Sequence, residues 1–118
     1  MARAHCRSNG LSLMLKELEV AKYVIQYDLS NADGQRYETL IKKLEEAGAV
    51  RATKSSWFLA SNASAIQLRG FFEKFMHKND VIAVNVLAVD QGFGSSNLTS
   101  AAVAWMNNHL KTPKSAVR

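Results

Sequence analysis

Cysteine is almost absent from this chain: Cys6 stands alone among 118 residues. No internal disulfide can form, and the composition fits a reducing, cytoplasmic compartment. Histidine is nearly as scarce. His5, His77 and His109 are scattered with no Cys or His at ligand spacing, which argues against a structural zinc site. No apolar run approaches the ~18 residues that span a bilayer. Leu11–Leu15 is too short for the apolar core of a signal peptide and is followed by charges. Glycine occurs six times and proline once, and neither an internal repeat nor a low-complexity block is present. Gly92-Phe93-Gly94-Ser95-Ser96-Asn97 lacks the Lys of a P-loop and the third Gly of a dinucleotide fingerprint, so it reads as a connector.

The middle of the chain also lacks a charge excess. The net charge is +5, but residues 23–90 carry eight bases and eight acids. The surplus lies in residues 1–22 (+2) and 91–118 (+3). A basic total by itself is therefore no evidence for a phosphate-binding surface. What the chain does have is enough apolar material for one domain, at 47% hydrophobic and 21% charged residues.

The strongest local pattern is Tyr23-Val24-Ile25-Gln26-Tyr27-Asp28-Leu29-Ser30, a β-rich run that ends on an acid. Asp28 either closes the strand and helps cap the next helix, or presents a carboxylate on rigid backbone for a metal or a base. Residues 33–48 follow as an amphipathic helix: Tyr37, Leu40, Ile41, Leu44 and Ala47 share a face, and Gly48 ends it. Residues 49–54 and 56–60 read as a hairpin. Ser61 and Asn62 are expected to cap a helix over 63–78 with Ala65, Leu68, Phe72 and Phe75 on its apolar face. Val81–Val89 is an apolar strand, and Asn97 or Thr99 opens a third helix that ends near Leu110.

This order predicts an α+β domain over residues 22–90, a ferredoxin-like βαββαβ fold with an antiparallel four-stranded sheet and two helices on one face. Residues 91–118 add a loop, a C-terminal helix and a basic tail expected to fray. Residues 1–21 are expected to be a weakly ordered extension, and Met14 offers an alternative start. On the sheet, Tyr23, Ile25 and Tyr27 with Ile82, Val84 and Val86 are assigned to the helix side. The opposite face then mixes Val24, Gln26, Ala83, Asn85 and Leu87. That surface is too apolar to stay in water and suits a dimer interface or a third helix folded across it. Trp57, Phe58, Phe71, Phe72 and Phe75 are mostly core by periodicity, and Trp105 is the better candidate for an interface.

The Tyr23–Ser30 strand end, the helix after it, the glycine-led strand 48–54 and Ser55-Ser56-Trp57-Phe58 together resemble the small CRISPR-associated Cas-two family. Its relatives include VapD-type toxins and, for the Ser-x-Trp-Phe variant, SinR-like proteins. The likeness covers about residues 23–90. It implies a homodimer in which Asp28 faces its twin across the two-fold axis, binds Mg²⁺ and supports phosphodiester hydrolysis of RNA or DNA. Two carboxylates can hold a cation that one holds poorly. Ser30, Ser55 and Ser56 would orient phosphate or water, unless they are simply strand-end and turn residues. Arg36, Arg51 and Lys54 are candidates for backbone contacts near Asp28, against the ordinary reading as solvated charges. Asn31–Gln35 separates Asp28 from Arg36 where many family members carry a basic run, which counts against strong duplex binding. The alternative function is a non-catalytic dimeric scaffold or adaptor with the same fold.

Overall fold

Alternation along the first strand organises the molecule. In the computed structural model, which describes residues 20–30 and 34–111, β1 (Ala21–Asp28) turns Tyr23, Ile25 and Tyr27 into the core and Gln26 and Asp28 outward. The chain then runs through α1 (Gly34–Glu46), β2 (Val50–Thr53), β3 (Ser56–Ser61), α2 (Ala65–Phe72), β4 (Val81–Val86) and α3 (Ser100–His109). The strands form one antiparallel sheet in the order β2-β3-β1-β4. The fold is α+β. The expected extension lies outside the described residues except for Val20 and Ala21, and so does the tail beyond Lys111.

Each element has a local cause. α1 buries Tyr37, Leu40 and Leu44 at three- and four-residue steps. It stops where Gly48 takes φ +92°, letting Gly48 N–H reach Glu45 O (3.0 Å) and Ala49 N–H reach Leu44 O (3.0 Å). That pair of bonds satisfies the last carbonyls of the helix, and the positive φ favours glycine. α2 does not start at Ser61 or Asn62 as expected. Ser64 is the cap, its hydroxyl accepting from Gln67 N–H while the Gln67 side chain accepts from Ser64 N–H. The helix is also shorter than its periodicity suggests. A 3₁₀ turn, Glu73–Phe75, tightens it, and Met76 then becomes extended and buried. β4 ends at Val86 rather than Val89, because β1 ends its pairing there; only Leu87 N–H still reaches Lys22 O (2.7 Å).

Two apolar clusters lie on opposite sides of the sheet. The larger packs Tyr23, Ile25, Trp57 and Leu59 against Leu40 and Leu44 of α1 and Leu68 and Phe72 of α2. The smaller is made by α3, which sets Trp105, Met106 and Leu110 against Val50, Phe58, Ala60 and Leu87. Trp105, expected at an interface between molecules, is instead stacked on Phe58 of its own sheet at 5.1 Å. Thr99 caps α3 through Ala102 N–H. Thus the third helix does fold across the second face, but over only part of it. Gln26, Asp28, Ala83 and Asn85 remain exposed. Among the described residues no helix is long and apolar enough to cross a membrane.

Candidate metal and nucleic-acid site

Asp28 closes β1 directly opposite Val81, the first residue of β4. Strand alternation places its side chain on the same face as Gln26, Ala83 and Asn85, the half of the sheet that α3 leaves open. The carboxylate is exposed and makes no hydrogen bond or ion pair with any described residue. A strand in the middle of a sheet holds its backbone rigidly, so this is a positioned and uncommitted acid.

The turn between β2 and β3 reaches the same end of the sheet. Tyr27 N–H donates to Ser55 O (3.0 Å), and Tyr27 OH donates to Lys54 O (3.4 Å). Lys54 and Ser55 are exposed there. Ser56 is different: it is buried and its hydroxyl is 2.7 Å from that of Thr53. Together with Ser55 N–H donating to Thr53 Oγ1 (3.3 Å), that contact shapes the hairpin.

Arg51 is separated from Asp28. Its register partner is Trp57, which in turn opposes Ile25, so Arg51 stands at the edge of the helix-covered face. The guanidinium lies over the Trp57 ring at 5.1 Å and donates to Lys54 O (2.6 Å) and Thr53 O (3.3 Å). It thereby braces the bulged turn. Arg51 and Lys54 instead line a cleft of about 620 Å³ with Ala52, Thr53 and Thr99, along β2 beside the start of α3. The Arg36 side chain lies outside the described residues.

Ser30 also has a defined duty. Its N–H and hydroxyl both donate to Asp80 Oδ1, at 2.7 and 2.8 Å. The same carboxylate accepts from Tyr37 OH (3.0 Å) and from His77 N–H (2.7 Å). Burial alone raises the Asp80 pKa, but bonds from Ser30 N–H, His77 N–H, the Ser30 hydroxyl and the Tyr37 hydroxyl outweigh it and lower the value to about 2. Asp80 therefore joins the segment after β1, helix α1 and the segment before β4 into one clasp.

The sequence pattern marked residues 79–80 only as a turn and missed this role. The available signal was indirect. Once β1 and β4 are read as antiparallel neighbours, the residue just after one strand must face the residue just before the other. Among the described residues no group of three His, Cys, Asp or Glu side chains converges on a metal position. Asp28 stands apart from the other described acids as a single exposed carboxylate, and one carboxylate alone is a weak ligand for a hard divalent cation. No protein-family model matches the sequence, and no solved structure matches the fold.

Proposed function

We propose that the chain is a Cas-two-like homodimer that acts on RNA or DNA as a Mg²⁺-dependent endonuclease, in a cytoplasmic setting. A ferredoxin-like architecture is part of this reading, supported by the β-α-β-β-α-β order with β1 and β3 central and antiparallel. The observation that carries it is the uncommitted, exposed carboxylate of Asp28 at the end of a central strand. Pairing the open halves of two sheets about a two-fold axis that passes beside Asp28 would bring it opposite its twin. An all-oxygen pair suits a hard divalent cation. Bound there, Mg²⁺ supplies charge for the phosphodiester oxygens and a more acidic water.

The protein's own part is positional. Asp28 fixes the reacting end on rigid backbone, and Lys54 meets the phosphate chain from the neighbouring turn. Ser55 offers a hydroxyl beside it. Single-stranded RNA incubated with and without Mg²⁺ is the direct assay. Asp28→Ala should abolish cleavage; cleavage at the wild-type rate in that variant refutes the assignment.

The second reading is a dimeric scaffold or adaptor. It draws support from Ser30 and Arg51, whose polar groups are engaged in holding Asp80 and the hairpin rather than facing Asp28. Gel-shift titration at low and higher salt separates the two readings, because phosphate contacts make affinity fall steeply with salt. Absence of a shift at low salt favours the scaffold.

A further inference from the structure

The two edges of the sheet are built differently. β2 carries Arg51, a register shift between Arg51 and Thr53, and α3 beside it. These are the devices by which edge strands avoid pairing with other chains. β4 also has a helix packed against it, α2, but neither a charge nor a register shift. Its sequence Val81-Ile82-Ala83-Val84-Asn85-Val86 has no charge, no proline and no bulge, and Val81 and Val86 are 58% and 65% exposed.

Hydrogen-bond alternation identifies which groups face outward. Leu87 N–H bonds to Lys22 O, and Tyr27 N–H points the other way, to Ser55 O of the hairpin turn. Even-numbered β1 residues therefore bond towards β4, and Val81, Ala83 and Asn85 answer them. The N–H and C=O groups of Ile82, Val84 and Val86 then point away from the sheet. Among the described residues no strand covers them.

We propose that the β4 edge pairs with β4 of a second copy of this chain, antiparallel about a two-fold axis through Val84. In that register Val84 opposes its twin and Ile82 opposes the partner's Val86, so all the outward backbone groups find partners. The side chains agree with it. Ile82, Val84 and Val86 share the helix side of the sheet, and β-branched residues set opposite one another are favourable cross-strand pairs. With no charge on the strand, a copy facing itself meets no like-charge repulsion.

Helix α2 extends the same flank. Phe71 meets Phe75 of the following 3₁₀ turn edge to face, and Lys43 of α1 sits over Phe75, so Phe71 marks the α1 side of α2. The helical wheel puts Ile66 on the other flank, where it is 72% exposed. Tyr23 OH bonds to Ala63 O at the start of α2 (2.7 Å), and Tyr23 pairs with Val86, so Ile66 and Val86 lie at the same end. A β4-to-β2 contact would instead run head to tail and stay open-ended, and the protected β2 edge opposes it. This contact uses neither Asp28 nor the open half-face, so it stands independently of the endonuclease reading.

Light scattering at micromolar concentration, combined with amide hydrogen exchange, tests the proposal. The wild-type protein should run at no less than twice 13.0 kDa. Ile82, Val84 and Val86 amides should gain protection as concentration rises. Val86→Lys adds the charge that β2 already has, and Val86→Pro removes only an outward N–H; each should halve the mass. Gln26→Arg, on the open face, should leave the concentration-dependent protection of those amides intact. A wild-type monomer, or a mass unchanged in both Val86 variants, overturns the proposal. So does protection of these amides in a monomer, which would mean that the chain's own residues beyond 20–111 cover the edge. If the variants fail to fold, the exchange pattern of the wild-type protein decides alone.

Discussion

The two faces of the sheet are closed to different degrees. On one, two helices press Leu40, Leu44, Leu68 and Phe72 onto Ile25, Trp57 and Leu59, all of them nearly or fully inaccessible to water. On the other, α3 brings Trp105 and Met106 down onto Phe58 and Val50 and leaves the β1–β4 half uncovered. The difference separates stability from availability. Side chains on the first face have no freedom to meet a ligand, while Asp28 on the second face is exposed and bonds to none of the described residues.

The sharpest way to test that contrast is to truncate one tryptophan on each face. Trp57→Ala removes a side chain buried among two helices and also its Nε1–H bond to Tyr27 OH (3.0 Å). It should cost about 3–5 kcal/mol in denaturant unfolding. Trp105→Ala empties the smaller cluster, which lies beside open surface and can relax, and should cost about 2 kcal/mol. Equal losses would show that α3 belongs to the same core.

Asp80→Asn comes next. Because its carboxyl falls from 3.8 to about 2 in the folded state, the charged form contributes stability that is fully present above pH ~4 and lost as pH falls towards 2. The size is about 2 kcal/mol. The variant should lose that acid-dependent part of the stability curve, and unfolding at pH 6 and pH 2 reads the difference. The smallest effect belongs to Asp28→Ala. An exposed acid with no partner among the described residues should change stability by less than ~0.5 kcal/mol, and a thermal scan that shows a larger drop would mean Asp28 has a structural role.

Much of this was written in local pattern. Alternation in Tyr23–Asp28, the steps of Tyr37, Leu40 and Leu44, and Gly48 as a helix end are short-range signals that the structure follows, and of Asn97 and Thr99, the two candidate starts of the third helix, it uses Thr99. The faces of β1 and β4 could be paired correctly because both strands alternate. The start of α2 was legible in Ser64 and Gln67, three residues apart, but Ser61 and Asn62 offered the same cap chemistry nearby. The stacking of Trp105 on Phe58 and the bonds of Asp80 to Ser30 and Tyr37 join distant parts of the chain. No periodicity encodes such contacts. Arg51 illustrates the same limit: it looked like a neighbour of Asp28 until the register put it on the other face.

The Asp80 clasp also has a kinetic meaning. Ser30 and Asp80 are 50 residues apart, so the intervening loop must close before the carboxylate gains its bonds. Contacts of that span form late on the way to the folded state, and what forms late governs how slowly the protein comes apart. We expect stopped-flow unfolding of Asp80→Asn to be faster while refolding keeps its rate. A change confined to refolding would put the clasp in the folding nucleus. In this account Asp80 acts as a bolt on the finished sheet, and the lifetime of the native state depends on a side chain that takes no part in assembling it.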